Sequence, residues 1–421
     1  MDKRYSQRKL TQAKRQTQTC KVYEVKIDKS HLSKSSQSHL SSLFREAKWF
    51  YNYCLSHDNI NDADTTAQQV PVKVGCNYED RQFTTLQAQM KQGIKTRLFG
   101  SLSSLTALKE NGHKVGCLKF KSVVNSIPLK QYNKTYFIKK DKVRIQGLKS
   151  WLRVRGLQQI PPDSEIANAV LVRKNHDYYL NITTYTNQKR QVPEASVGID
   201  FGCETQLTFS NGVKVQFQVP VSKRLKRLDR KIMKKRRLNS KNKEKNKAKR
   251  QKEYEYLTNK KKDIRHKLVS AITDNYKYVC FQDEGIHAWH SGRHGKKVQS
   301  TGIGGILADL KHKAVTPIMV DKFFPSTQLC PECGSKNKHE LSERTYVCGC
   351  GYSEDRDVKS AICIEAEGMR RVPTDYRELK PGEISTSTFL TQLSKITGVK
   401  VASWSCGARK LQGKPCGKSR T

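Results

Sequence analysis

Val197-Gly198-Ile199-Asp200-Phe201-Gly202 is an apolar run with one carboxylate near its end, and its reading decides the fold of the second half of the chain. Such a short apolar run is a buried strand. Thr205 to Phe209 and Val213 to Phe217 follow as its hairpin partners across Ser210-Asn211-Gly212, a turn-forming tripeptide. Two more strand-like runs complete the sheet. Tyr276 to Phe281 ends at Gln282-Asp283-Glu284, and Val315 to Val320 leads through Lys322 and Phe323 to a cluster of cysteines.

Between these strands lies a strongly basic segment, Ser222 to Leu268. Leu225, Leu228 and Ile232 mark one apolar stripe. Tyr254, Leu257, Ile264 and Leu268 mark a second, beyond the polar break Asn239-Ser240-Lys241-Asn242. The pattern is a helical hairpin with two narrow core faces. Its remainder is cationic: Lys223, Arg224, Arg227, Lys231, Lys234, Lys235 and Arg236 fall in the first helix and turn. Like charges this dense repel unless a polyanion lies between them, so this face is read as a phosphate contact.

Upstream, residues 1–19 are rich in Lys, Arg and Gln and read as a mobile basic arm. Lys21 to Ile27 alternates apolar and polar residues, as a half-buried strand does. Leu40, Leu43, Phe44, Ala47, Phe50, Tyr51 and Cys54 then recur at helical spacing, and a second helix covers about Leu86 to Leu108. The helical period assigns Trp49, Phe50 and Tyr51 to packing. Strands resume at Val115–Phe120, Thr135–Ile138, Val143–Ile145, Trp151–Val154, Ala167–Val172 and Tyr178–Thr183. A β-barrel interrupted by helices is the simplest arrangement. Past about Glu367 the periodicity fades into what reads as a loose basic tail.

The chain has 421 residues, enough for two or three domains. Its formal net charge of +42, from 80 Lys and Arg against 38 Asp and Glu, points to a nucleic-acid partner. No long apolar span, lipidation signal or signal-peptide core accompanies that charge, and the basic stretches lack the apolar face a membrane surface needs, which argues against a membrane and against secretion. Of the thirteen cysteines, the scattered ones read as free thiols of a reducing compartment.

Cys330-Pro331-Glu332-Cys333 and Cys348-Gly349-Cys350-Gly351 are different. Two short thiolate pairs across a polar span supply the four soft ligands of a closed tetrahedral site, hence structural zinc. The second pair has a single residue between its cysteines, and Gly349 and Gly351 permit the tighter knuckle.

Acidic residues are scarce, so their positions at strand ends carry information. Asp200 lies near one strand end, Asp283 and Glu284 follow another, and Asp355 and Asp357 stand at the entry to the helical run Val358 to Ile364. Carboxylates gathered at one sheet edge repel unless divalent cations sit among them. Two Mg²⁺ ions in such a site cleave phosphodiesters. An Asp before a helix is also a usual N-cap, so the pairs Asp283/Glu284 and Asp355/Asp357 stay open at this point.

The order of these features resembles the TnpB proteins of transposons and their relatives, the compact type V CRISPR effectors. The likeness rests on Gly198-Ile199-Asp200-Phe201-Gly202, Asp283-Glu284-Gly285-Ile286, Cys330-Pro331-Glu332-Cys333-Gly334, Tyr346-Val347-Cys348-Gly349-Cys350-Gly351-Tyr352 and Asp355-Arg356-Asp357-Val358-Lys359-Ser360-Ala361. More loosely it includes Tyr51-Asn52, Gly116 to Ser122 and Arg265-His266-Lys267-Leu268, so that it spans about residues 20 to 365.

The resemblance implies a multidomain α/β plus β-barrel chain. Its parts would be a basic arm (1–19), a wedge β-barrel (20–39 and 111–195) and a helical recognition domain (40–110). An RNase H-like RuvC nuclease domain (196–325 and 353–369, with the basic hairpin at 222–268), an inserted zinc ribbon (326–352) and a basic tail (370–421) would follow. It implies a cytoplasmic, nucleoid-associated prokaryotic enzyme, guided by RNA as a monomer or homodimer and cutting double-stranded DNA next to a short adjacent motif.

Carried over by motif, the Mg²⁺ ligands are Asp200, Glu284 and Asp357, with Asp355 as the helix cap. Residues 285–305 would form a mobile lid in which His287 and His290 contact phosphate. Where the family usually has an Asn-Ala pair after the third Asp, this chain has Lys359-Ser360-Ala361, a departure that leaves all three ligands present. A nuclease-inactive RNA-guided binder and a guide-independent RuvC-like nuclease are the alternatives.

Overall fold

The structure, a computed structural model, describes residues 3–175, 177–187, 192–234, 240–292, 295–338, 340, 343–372 and 386–403. The chain divides into two compact units, with the boundary between residues 190 and 191.

In the first unit α1 (Lys3–Gln16) precedes β1 (Thr19–Ile27). The helix α2 (Lys34–Ser56), the hairpin β2 (Gln69–Val74) and β3 (Asn77–Gln82), and the helix α3 (Ala88–Glu110) follow. Then come β4 (Ser126–Leu129), β5 (Tyr136–Lys139), β6 (Lys142–Ile145), β7 (Leu152–Arg155), β8 (Glu165–Lys174) and β9 (Asp177–Thr186). An antiparallel, near-closed, barrel-like sheet runs in the order β4-β8-β9-β1-β7-β6-β5, and among the described residues no ladder joins β4 to β5.

The α2 helix starts where the Ser33 hydroxyl oxygen accepts from the Ser36 N–H, which satisfies one of the free donors of a helix start. Its period-3.6 positions Leu40, Leu43, Phe44, Ala47, Phe50 and Cys54 are buried against strands of the barrel.

Three expectations for this unit need correction. Residues 3–16 form a helix rather than a mobile arm; Lys14 and Arg15 pair with Glu165, and the Arg15 guanidinium lies 3.6 Å over the Tyr185 ring. The stretch Val115–Phe120 pairs with no strand. Instead the Asn52 side chain clasps the Lys121 backbone just beyond it, donating to the carbonyl and accepting from the N–H. The region expected to be helical also contains the β2–β3 hairpin, whose second strand is wholly exposed and so lacks an apolar period.

The second unit holds β10 (Ser196–Phe201), β11 (Leu207–Phe209) and β12 (Val213–Phe217), then the helices α4 (Lys223–Met233) and α5 (Lys241–Asn275). After β13 (Tyr278–Gln282) come α6 (Ile286–Ser291), α7 (Gly295–Thr301), α8 (Ile303–Lys313) and β14 (Thr316–Val320). The short hairpin β15 (Thr345–Val347) and β16 (Ser353–Asp355) leads into α9 (Arg356–Arg370). Last are α10 (Thr386–Ser394) and β17 (Val399–Ser403).

Six strands lie in the order β14-β13-β10-β11-β12-β17, with β14, β13 and β10 parallel and the remainder antiparallel. The parallel core is covered on its faces. All of β13 is buried, as are Val197, Gly198 and Ile199 of β10, which is why these strands read as unbroken apolar runs.

Here too the sequence reading needs correction. The segment beyond residue 369 is not wholly a loose tail: β17 extends the sheet against β12, and Phe389 of α10 is buried edge-to-face on Phe209 and Tyr276. The segment 285–305, where described, holds α6, α7 and the start of α8. Tyr254 is half exposed rather than core, whereas Leu225, Leu228, Ile264 and Leu268 are buried.

One close approach sets the layout. A Cβ on Gly198 would stand 2.0 Å from the Ala361 carbonyl oxygen and 2.9 Å from the Glu365 nitrogen, so α9 lies directly on the backbone of β10. Gly198→Ala is expected to lift α9 and cost about 1–3 kcal/mol or more, read as a lower urea midpoint. An unchanged midpoint would remove this account of the packing.

Candidate active site and metal centre

The register of α9 on β10 determines which carboxylates meet. The Ser196 hydroxyl donates to Glu365, and Gly198 faces Ala361, so the helix runs antiparallel to the strand. Two residues along a strand advance about 6.7 Å and four along a helix about 6 Å. The next level is therefore Asp200 beside Asp357.

The parallel ladder places the second carboxylate. Ile199 pairs with Phe281, so both strands end at the same edge, and the chain turns immediately after β13 with the Glu284 N–H donating to the Gln282 carbonyl. Asp283 is exposed and pairs with Lys311 at 2.9 Å. Asp355 is occupied as the cap of α9: its side chain accepts from the N–H groups of Asp357 and Val358 and pairs with Lys214 at 2.7 Å. Each pair left open by the sequence is thus divided into one structural partner and one carboxylate beside Asp200.

The electrostatics agree. Burial, with the Asp357 and Glu284 carboxylates beside it, pushes the Asp200 carboxyl up to about 8. Burial and the adjacent Asp283 raise Glu284, while the Lys322 ammonium pulls it back. The three do not converge tightly. Among the described residues, the four cysteines are the only group of three or more metal-ligating side chains whose donor atoms all lie within 4.8 Å of one another.

Those cysteines fit a tetrahedral ion. Four sulfurs at about 2.3 Å from one centre stand roughly 3.8 Å apart; here Cys330 lies 3.7 Å from Cys350 and Cys333 lies 3.5 Å from Cys348. All four are free thiols, far from the ~2.05 Å of a disulfide. The N–H of Cys350 and the Ser335 hydroxyl hold the Cys348 thiol down to about 5, favouring the thiolate a metal requires. Gly351, at φ 92°, closes the second knuckle with its N–H on the Cys348 carbonyl. His339 lies outside the described residues.

A buried polar chain links this module to the carboxylates. Lys359, fully buried in α9, donates to the Ser326 carbonyl at 3.0 Å and lies 4.1 Å from the Tyr346 ring centroid; burial pulls its ammonium down to about 8. The Ser326 hydroxyl donates to Gln282, whose amide nitrogen in turn faces the carbonyls of Asp321, Lys322 and Phe324. Gln282 and Ser326 escaped the sequence reading, since a lone Gln at a strand end and a Ser after a proline carry no periodic signal.

Lys223, Arg224, Arg227, Lys231 and Lys234 are exposed around the buried Leu225 and Leu228, and Arg224 pairs with Glu253. Lys235, Arg236 and the side chain of His287 lie outside the described residues; His290 is exposed.

Residues 308–364 match the Cas12f1-like, TNB domain family. A protein of Streptomyces pristinaespiralis named "Putative RNA-guided DNA endonuclease" is 27% identical over 184 residues, 42% of this chain and 46% of its own length. The chain thus matches less than half of that relative. A solved structure described as a Cas12f1-sgRNA-target DNA complex is similar at a TM-score of 0.46 and 14% identity, over 79% of this chain and 83% of that one. The likeness to TnpB proteins and compact type V effectors, read first from the motifs, is found again in these matches.

Two outcomes are expected. Cys333→Ser or Cys350→Ser should reduce bound zinc from about one ion per chain to near none by elemental mass spectrometry; a variant that keeps its zinc would break the four-thiolate assignment. The second concerns pH. Asp200 titrates near 8 when folded and near 3.9 when unfolded, so the folded state holds the proton more tightly. Its stabilising contribution is full below about pH 4 and is lost as the pH rises through about 8. Without added Mg²⁺, Asp200→Asn should therefore raise the melting temperature at about pH 8.5 by more than at about pH 5. Equal shifts at both would rule out the crowded-carboxylate description.

Proposed function

We propose that this chain is an RNA-guided DNA endonuclease that cuts double-stranded DNA next to a short adjacent motif, and that its second unit is an RNase H-like RuvC nuclease domain. The observation that carries the proposal is the register at one sheet edge: Asp200 on β10, Glu284 just past β13, and Asp357 one helical turn from the contact between Gly198 and Ala361.

The carboxylates fit hard divalent cations. Burial and the Asp357 and Glu284 carboxylates beside it raise the proton affinity of Asp200, and a cation relieves that cost better than a proton does. Asp200, Glu284 and Asp357 would hold two Mg²⁺ ions. When bound, these supply an activated water and stabilise the leaving oxygen. Donor atoms spread wider than a single ion's shell suit a pair of ions.

The remaining roles follow from charge and rigidity. Lys322, beside Glu284, suits a backbone phosphate. Zinc in the four-cysteine knuckle would fix β16 and the start of α9, and with them Asp357. The exposed Lys223, Arg224, Arg227, Lys231 and Lys234 would carry phosphates of the guide RNA or its heteroduplex with target DNA, with binding that weakens steeply with salt. Sequence choice would rest on base pairing, and the protein would read backbone shape and the adjacent motif. Among the described residues no helix is long and apolar enough to cross a membrane; the place of action proposed is the cytoplasm at the nucleoid, as a monomer or homodimer on the RNA.

The test is purification from the native locus with sequencing of bound RNA, followed by cleavage of matching DNA. A discrete co-purified RNA is expected, with Mg²⁺-dependent cutting that Asp200→Ala reduces at least about 10³-fold while RNA retention is unchanged. Absence of a discrete RNA would overturn the guided reading. RNA-dependent binding without cutting would favour an inactive binder.

A further inference from the structure

The loop between β14 and the cysteine module exposes an aromatic ring where the fold has every means to bury one. Phe323 is 84% exposed, the highest value among the exposed large apolar side chains described. Its neighbour Phe324 turns inward, packed against Cys280, Val320 and Ile364. Exposure is not a consequence of slackness. The Gln282 amide nitrogen faces the carbonyls of Asp321, Lys322 and Phe324 at 3.0, 2.9 and 2.9 Å. The Asp321 carboxylate accepts from the Phe323 N–H at 2.8 Å, and the Asp321 carbonyl accepts from the Phe324 N–H at 3.1 Å. With its carbonyls and amides so engaged, the loop holds Phe323 outward as a fixed feature.

Its position is as informative as its rigidity. The anchoring residue, Gln282, is two positions before Glu284. Lys322 lies with its ammonium 5.7 Å from the Phe323 ring centroid and 3.5 Å from the point where a Cβ on Gly285 would stand, and its charge acts on Glu284. Ring, ammonium and carboxylate therefore sit together on the rim of the site. Lys322 and Asp321 beside the ring are exposed and polar, a charged setting unlike the apolar centre of a protein docking face.

We propose that Phe323 is a stacking platform for one unpaired nucleobase of the strand being cut, with Lys322 on the adjoining phosphate. An aromatic face beside a cation matches the two features every nucleotide presents, a flat base and an anionic backbone, and such stacking tolerates any base. A base whose pair has been opened presents its whole face to such a ring. This inference rests on the nuclease reading above and names a residue that holds its substrate strand.

The test uses the full chain with its co-purified RNA and a set of short single-stranded DNAs, each with one abasic position. Phe323→Leu keeps apolar bulk and loses the ring; Phe323→Trp keeps a ring. Stacking of one base is worth a factor of about 5 to 150, so Phe323→Leu should raise KM for single strands at least about 5-fold with little change in kcat, and Phe323→Trp should restore it. One abasic position should impose the same loss on the wild type and none on Phe323→Leu. Unchanged KM in Phe323→Leu, or abasic and leucine effects that simply multiply at every position, would overturn the platform.

Failure of the nuclease reading is distinguishable. It would appear as a wild type that cuts no DNA, and binding then decides the inference. In the Asp200→Ala background, the fluorescence of a 2-aminopurine base in the same strands should be quenched with Phe323 present and recover with Phe323→Leu; equal fluorescence in both would refute stacking.

Discussion

A helix laid on a strand with no side chain between them is the contact on which the second unit depends. At Gly198 the α9 backbone comes so close that even a methyl group is excluded, and the consequence extends beyond packing. A layer of side chains would hold the two elements farther apart and let them slide by part of a residue. Backbone contact allows one register, and in that register Ser196 meets Glu365, Gly198 meets Ala361, and Asp200 is left level with Asp357. Glycine's missing side chain thus acts as an alignment device for carboxylates two residues and one helical turn away.

The alignment produces an arrangement that the fold alone would disfavour. Asp200 is raised by burial and by two carboxylate neighbours, a local concentration of negative charge in a chain carrying +42 overall. The surrounding cations offset it only in part: Arg356, 3.8 Å from Asp357, and Lys359 pull Asp200 back, and Lys322 pulls Glu284 back. Lys214 is committed to Asp355, Lys311 to Asp283, and the Lys359 ammonium to a backbone carbonyl and an aromatic ring. The closest ion pairs thus fall on the neighbouring acids Asp283 and Asp355, and Asp200 keeps its raised proton affinity.

Legibility in the sequence followed the range of the interaction. Short apolar runs with period-two or unbroken burial, such as β10, β12 and β13, and the long amphipathic face of α2 announce themselves, because local pattern and tertiary burial coincide there. So do the paired thiolates, whose spacing reflects the geometry of a single knuckle. The choices between Asp283 and Glu284, and between Asp355 and Asp357, could not be read from local chemistry. Lys311 and Lys214, partners 28 and 141 positions away, occupy Asp283 and Asp355, and the cap on α9 holds Asp355 as well. The C-terminal strand was invisible for the same reason: Val399 to Ser403 is short, with two valines and one alanine, and it becomes a strand only because β12 offers it an edge. The helix over residues 3–16 has few apolar residues, and it is anchored by ionic contacts with Glu165 and a stacking contact with Tyr185.

The position of the cysteine module in the chain follows from the same geometry. A helix that must present Asp357 at its first turn has its weakest hold at that turn, where backbone donors lack helical partners and fraying begins. Asp355 caps those donors, but Asp355 itself belongs to β16, whose partner β15 carries Tyr346 and leads into Cys348. Lys359 adds a second tie from inside the helix to Tyr346 and to Ser326, and Ser326 reaches Gln282 beside Glu284. The knuckle therefore borders the helix start on one side and the end of β13 on the other. A small hairpin with so little core of its own would not hold such a position unaided. Four thiolates closed on one ion would give it the rigidity its apolar contacts cannot, and would carry that rigidity to both carboxylates flanking Asp200.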